Sequence, residues 1–304
     1  MAKIAVLLSG CGVFDGAEIH ESVLSLLALH EAGAEVSFVA PDIEQHHVID
    51  HQRGAEGAGT ARNVRDEAAR IARGPVLSLD EVKAEDFDGI VFPGGFGVAK
   101  NFCDFAFKGA EGSPLPAMAD FLRAARAAGR PIGFACISPA LAAMVFREGR
   151  LTLGRDDDDY AAALRSFGAE AVACAGDEIV VDEARKIVST PAYMLELGLP
   201  TLREGLKKLV DQVLRWAGDA QLTEALAGLP SWSLRGGALS RRWSFDNFAD
   251  ALAFTNRLGA LAEAEGHHPD LELGWGYVSL RLFTHDINGL SEKDFALARA
   301  IEAL

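Results

Sequence analysis

The sequence predicts an α/β domain built on a parallel sheet, followed by a small α+β domain with an antiparallel sheet packed on helices. Three observations carry this. Up to about residue 217, short apolar runs alternate with stretches of helical spacing. Beyond it, strand-length segments alternate apolar and polar positions beside two helical stretches. The 304 residues also exceed what one domain usually holds, and the change of pattern sets the expected division at 1–217 and 218–304. With 49% apolar and 24% charged residues, the composition is that of a globular protein and excludes a disordered chain or a fibre.

Taken in order, residues 3–8 form a near-continuous apolar run, as a buried parallel strand does. Ile19, Val23, Leu26, Leu27 and His30 then step at helical spacing. Residues 35–40 read as a second strand closed by Pro41, and 89–92 as a third that ends in Pro93-Gly94-Gly95. A helix over 117–128 stops at Gly129, a fourth strand covers 131–135, and a helix covers 139–146. This rhythm predicts helices on both faces of the sheet. The acidic run Asp156 to Asp159 suits a helix N-terminus. Residues 178–181 and 186–189 flank a four-residue turn and read as a hairpin, and 202–216 as a helix.

In the second domain, strands at 232–235 and 239–245 surround Gly236-Gly237. A long helix follows, with Phe248, Ala251, Phe254, Leu258 and Leu261 on one stripe and Asp246 or Asn247 as its cap. Leu271, Leu273 and Trp275 alternate, as do Val278, Leu280 and Leu282. Ser291 caps a final helix that carries Phe295, Ala298 and Ile301.

The net charge of −15 gives no general attraction to nucleic acid or anionic membranes. From Asp219 onward the chain holds 12 acidic and 7 basic residues, so neither part is a basic arm. The apolar runs are too short to span a bilayer. Leu8-Ser9-Gly10-Cys11 resembles a lipoprotein cleavage box, but the apolar run before it, residues 4–8, is shorter than a signal requires. The four cysteines form no CxxC pair, so neither a zinc site nor a disulfide framework is expected, and a cytoplasmic address fits.

His267, His268 and His285 fall in one short window. Adjacent strands can bring them to one pocket mouth, and Glu263, four residues before His267, lies on the same side of a helix end. Such a set supplies a general acid and a general base near neutrality. A solvated helix end or a three-histidine zinc site are the other readings, the latter disfavoured because adjacent histidines diverge. The spacing Glu263-x3-His267-His268-Pro269-x5-Trp275-x9-His285-x8-Asp294, with Thr284-His285-Asp286 and Gly289-Leu290-Ser291, resembles the signature of pterin-4a-carbinolamine dehydratase. The resemblance implies a metal-free, cofactor-free enzyme that removes water from a 4a-hydroxytetrahydropterin to give the quinonoid dihydropterin. By the same resemblance the three histidines are acid and base, Glu263 and Asp294 are pocket or orienting groups, and Pro269 lines the pocket. Trp275 either packs in the core or stacks on the pterin.

In the first domain, Cys136 follows a strand and opens a helix, whose dipole favours the thiolate. Gly94 and Gly95 offer amides at the neighbouring strand end, and Ile137 after the cysteine is read as a substrate-binding position. Glu18 can reach Cys136 from the first helix. A buried, inert thiol is the competing reading. Leu8-Ser9-Gly10-Cys11-Gly12-Val13, Asp15-Gly16-Ala17-Glu18-Ile19-His20-Glu21, Thr60-Ala61-Arg62-Asn63-Val64, Pro93-Gly94-Gly95-Phe96-Gly97 and Thr190-Pro191-Ala192-Tyr193-Met194 resemble the ElbB group of the class I glutamine-amidotransferase-like superfamily. That resemblance implies a flavodoxin-like sandwich with Cys136 at the elbow and Glu18 beside it. It also implies a weak cofactor-free glyoxalase activity on a small aldehyde. Ile137 stands where wider relatives often carry histidine, so an amidotransferase triad is not expected.

Three functions follow from these readings. The first is a pterin dehydratase fused to a glyoxalase-like module. The second is a glyoxalase acting through Cys136 as the main activity. The third is a non-catalytic binding or dimerisation protein. Relatives of both halves form oligomers, so a homo-oligomer is expected.

Overall fold

The computed structural model describes residues 1–57, 59, 61–285 and 289–304. Thr60 and Asp286, both part of the motifs above, lie outside the described residues. The chain divides into two compact units, Met1–Gly218 and Asp219–Leu304.

The first unit is built on strands β1 (Lys3–Leu7), β2 (Glu35–Ala40), β3 (Leu77–Ser78), β4 (Gly89–Phe92), β5 (Ile132–Ala135), β6 (Val180–Asp182) and β7 (Ile187–Thr190). They form a seven-stranded sheet in the order β6-β7-β5-β4-β1-β2-β3. Every pair is parallel except the hairpin β6–β7. Ile4 to Leu8 are fully buried, which accounts for the unbroken apolar run at the centre of the sheet. Its helices include α1 (Ile19–Glu31), α2 (Val64–Ala72), α3 (Pro116–Ala127), α4 (Ser138–Phe146), α5 (Asp159–Ser166) and α6 (Leu199–Ala227). The arrangement is a flavodoxin-like α/β fold. Glycines set the approach of α6 to the sheet. A Cβ at Gly133 would lie 2.5 Å from Leu209 Cδ2, and one at Gly89 would lie 2.8 Å from Val213 Cγ1. The acidic run does start a helix: Asp158 caps α5 by accepting the Ala161 N–H at 2.8 Å. Helix α2 has no counterpart in the sequence reading; Asn63 caps it through the N–H groups of Arg65 and Asp66.

In the second unit, β8 (Ser233–Arg235), β9 (Ala238–Ser244), β10 (Asp270–Gly274) and β11 (Tyr277–Leu282) form an antiparallel sheet in the order β8-β9-β11-β10. Gly236 and Gly237, at φ 56° and 74°, make the tight turn between β8 and β9 that only consecutive positive-φ residues allow. Helices α7 (Phe248–Glu265) and α8 (Glu292–Ile301) complete the unit. Leu239, Val278, Leu280 and Leu282 from the strands share one core with Ala251, Phe254 and Leu258 of α7 and Leu297, Ala298 and Ile301 of α8. Asn247 is the α7 cap, accepting the Asp250 N–H at 2.9 Å. Ser291 is the N-terminal cap position of α8, and its N–H donates to the Asp294 carboxylate at 2.7 Å.

Four placements differ from the sequence reading. The apolar stripe of α1 is its exposed side: Ile19, Val23 and Leu27 are each more than 40% exposed. The buried side instead carries Glu21, Ser22, Ser25, Ala28 and Leu29. Phe248 is exposed, because the α7 stripe turns inward only from Ala251. Trp275 is 75% exposed rather than core, because the alternation ends at Gly274 and the indole sits in the β10–β11 turn with Gly276 at φ 74°. Helix α6 runs to Ala227, through the expected boundary, because Gly218 alone does not stop a helix whose neighbours are good helix formers.

Candidate functional site

The register of the second unit brings its histidines to one end of the sheet. Asp270, the first residue of β10, pairs with Arg281 near the end of β11. Helix α7 stops at Gly266, whose left-handed φ of 62° turns the chain back so that His267, His268 and Pro269 lead straight into β10. His285 lies just beyond β11, at the same end.

His267 Nε2 lies 2.7 Å from Asp294 Oδ1. The other oxygen of Asp294 accepts from the Ser291 N–H at 2.7 Å and the Thr284 hydroxyl at 2.8 Å. This network ties the His-His-Pro turn to the end of β11 and the start of α8. Burial pushes the Asp294 carboxyl up, but the hydrogen bonds from His267, Ser291 and Thr284 outweigh it and leave it below its ordinary value. His268 pairs with Glu263, Nε2 to Oε2 at 2.8 Å, and both are exposed. The imidazole that Glu263 meets is thus that of His268, because the turn at Gly266 brings His268 back toward the last turn of α7. His285 packs against Phe283 with ring centroids 4.2 Å apart and the planes tilted by 42°, and lies 3.9 Å from Asp270. Asp270 was not singled out from the sequence. Pro269 is half-buried between His268 and β10.

At the C-terminal edge of the first unit's sheet, Cys136 sits between β5 and α4 with φ 57°, a left-handed conformation that costs a non-glycine residue energy. Its N–H donates to Thr190 O at 3.0 Å. A Cβ at Gly94 would lie 2.3 Å from Cys136 Cβ, so only glycine fits there. The amides of Gly95 and Ile137 donate toward the sulfur.

The carboxylate beside the thiol is Glu21, not the expected Glu18. Glu18 caps α1, its Oε2 accepting the Glu21 N–H at 2.7 Å. Glu21, one turn further along the same face, is fully buried and hydrogen-bonds Cys136. It also accepts the amides of Gly94 at 2.8 Å and Tyr193 at 3.2 Å. The Gly94 amide is thereby occupied, leaving Gly95 and Ile137 as donors at the sulfur. Burial, with the Glu18 charge adding to it, raises the Glu21 carboxyl to about 7. Burial and then Glu21 hold the Cys136 thiol well above its ordinary value, so the thiolate expected at this helix terminus is not the resting form. His20, exposed, contacts the Tyr193 hydroxyl through Nδ1 at 3.0 Å and lies 4.0 Å from Glu18. The motif Glu18-Ile19-His20-Glu21 already held both missed residues. Helical spacing from 18 to 21 was the signal for Glu21.

Comparison with known proteins agrees with this division. Residues 217–304 match the family described as Pterin 4 alpha carbinolamine dehydratase. A Halorhodospira halophila protein named "Putative pterin-4-alpha-carbinolamine dehydratase" is 50% identical over 86 residues, covering 28% of this chain and 79% of that protein. The human "Glutamine amidotransferase-like class 1 domain-containing protein 3, mitochondrial" is 41% identical over 225 residues, 71% of this chain and 84% of the relative. The crystal structure of an Ehrlichia chaffeensis isoprenoid biosynthesis protein with an amidotransferase-like domain superposes with a TM-score of 0.66 at 33% identity. That match covers 71% of this chain and 99% of the other. The chain thus belongs to two families at once, the class I glutamine-amidotransferase-like proteins through its N-terminal part and the pterin-4a-carbinolamine dehydratases through its C-terminal part.

Proposed function

We propose that the C-terminal unit is a hydro-lyase that dehydrates 4a-hydroxytetrahydropterins, such as 4a-hydroxytetrahydrobiopterin, to the quinonoid dihydropterin. The observation that carries this is the Asp294 network, which holds His267 beside His268 at the sheet end where His285 also emerges. The 4a-hydroxyl leaves poorly as hydroxide, so one imidazolium donates a proton to it. A neutral imidazole, or a water it orients, removes the proton from the ring nitrogen, and water departs. Each transfer is worth roughly 10² to 10⁴ in rate. Trp275, exposed in the β10–β11 turn, lies at the far end of that hairpin from the histidines, so no stacking role is assigned to it. Dehydration should be followed with the full chain, His268→Ala and Cys136→Ala. Wild type should outpace buffer, His268→Ala should lose most of that, and Cys136→Ala should retain it. Wild type no faster than buffer overturns the reading.

A second activity is favoured by the amides of Gly95 and Ile137 aimed at Cys136 and by the adjacent Glu21. In this glyoxalase reading Cys136 adds to the aldehyde carbon of a small 2-oxoaldehyde as Glu21 takes the thiol proton. Hydrogen then shifts to the neighbouring carbonyl, and water hydrolyses the thioester to the 2-hydroxyacid. A carboxyl near 7 suits that base at neutral pH. Loss of methylglyoxal turnover in Cys136→Ala is expected; full retention excludes the thiol.

Among the described residues no helix is long and apolar enough to cross a membrane. Free cysteines fit a reducing compartment, and we place the protein in the cytoplasm. The exposed Ile19, Val23 and Leu27 support a homo-oligomer.

A further inference from the structure

A cavity of about 690 Å³ lies next to the elbow of the first unit. Its walls include Phe96, Phe105, Ile137, Tyr160 and Ala163. Ile137 joins it to the thiol directly: its backbone N–H faces the Cys136 sulfur while the residue lines the cavity. Phe96, which also lines the cavity, follows Gly95, whose backbone N–H bears on the sulfur as well. A carbonyl held by those two amides would have its substituent beside these walls.

The volume falls in the range of pockets that enclose drug-sized ligands, and a three-carbon aldehyde would leave most of it empty. Phe96 and Tyr160 stay 42% and 39% exposed, aromatic surface that a bound apolar group would cover. Among the described lining residues none is Lys, Arg or His, and Asp159 is among them. A carboxylate tail would meet no cation there and would face a like charge.

We infer that the Cys136 site takes an uncharged carbonyl compound with an apolar tail of several carbons or an aryl ring, with the tail in this cavity. The inference rests on the reading of Cys136 as a nucleophile, and it extends the substrate from a small aldehyde to an alkyl or aryl one.

The test avoids turnover, so that it does not depend on the glyoxalase reaction. Cys136 in the full chain is alkylated at alkaline pH with iodoacetamide, N-hexyliodoacetamide or an N-carboxypentyl analogue, and labelling at that residue is followed by mass spectrometry. Glutathione sets the intrinsic reactivity of each reagent. After that correction the hexyl reagent should react about tenfold or more faster than iodoacetamide, as burial of several methylenes implies. The carboxypentyl reagent should lack this preference. Ala106→Trp and Ala110→Trp, at exposed positions of the lining, should erase the preference while leaving the iodoacetamide rate within about twofold. A hexyl preference no greater than in glutathione, or one that survives both tryptophan variants, overturns the inference. So does a Cys136 that resists even iodoacetamide. If the preference holds but methylglyoxal and its longer homologues are not turned over, the glyoxalase reading fails and the cavity assignment stands.

Discussion

His267 and Asp294 form a part-buried imidazole–carboxylate pair, Nε2 to Oδ1 at 2.7 Å, in which the acid is fully shielded from solvent. The same carboxylate caps α8 and holds Thr284, so a single residue both starts a helix and orients a candidate catalytic ring.

Asp294→Ala should therefore destabilise the second unit by roughly 2–4 kcal/mol, since it strands the Ser291 amide, the Thr284 hydroxyl and His267. Dehydration should fall with it. Asp294→Asn, which keeps the size, should cost less stability yet still slow dehydration. Thermal unfolding paired with initial rates checks both. Because the Asp294 carboxyl is held below its ordinary value, its contribution is complete above the unfolded value, about 4. It is lost as pH falls through the lowered folded value. Acid titration should show wild type losing its advantage over Asp294→Asn only as pH falls through that range.

Glu21 gives the opposite slope. Its carboxyl is raised from 4.5 to about 7 in the folded chain. The folded state therefore binds more protons between those values, and stability contributed by the group is present below 4.5 and declines as pH rises to about 7. Glu21→Gln should flatten that decline while still accepting at least one of the amides of Gly94 and Tyr193. Urea unfolding at pH 5 and pH 8 should show wild type losing more between the two than the variant. Equal losses would contradict the assignment.

Gly94→Ala should be far more damaging than another glycine substitution in the same unit. Its Cβ would sit 2.3 Å from Cys136 Cβ and 2.7 Å from Glu21 Oε2. At Gly129, with φ 67°, a Cβ meets nothing within 4 Å, so Gly129→Ala carries only the left-handed backbone penalty, roughly 1–2 kcal/mol. The expected outcome is a folded Gly129→Ala protein. Gly94→Ala should either fail to accumulate or unfold at markedly lower denaturant.

Val23→Asp tests the exposed side of α1. If Ile19, Val23 and Leu27 meet a second copy, the charge should shift the molecular mass by light scattering toward the monomer. Cys136 labelling should be unchanged. A wild type that is monomeric at all concentrations would exclude this interface.

Strands β1 and β4 were legible because central parallel strands are apolar on both faces, and the partly buried β2 because Pro41 closes it. The Gly236-Gly237 turn and the Asn247 and Ser291 caps were legible because each residue has a local reason to be there. Helix α1 misled because periodicity assumes that the apolar stripe faces inward. Here the inward face carries Glu21, a buried acid that reads as surface in any hydrophobic pattern. Trp275 misled for a related reason: strand alternation does not show where a strand gives way to a turn, and the indole lies one residue past β10. The histidines of the second unit were legible as a set. Their pairing with Glu263, Asp270 and Asp294 depended on the turn at Gly266 and the strand register, which only the fold supplies.

The left-handed backbone at Cys136 sets stability against chemistry at one position. Glycine would hold φ 57° without a Cβ penalty and would free the crowded approach to Gly94. A directed-evolution campaign that rewarded heat resistance alone should therefore discard this thiol early, while one that also demanded its reactivity should keep it and repair the fold elsewhere.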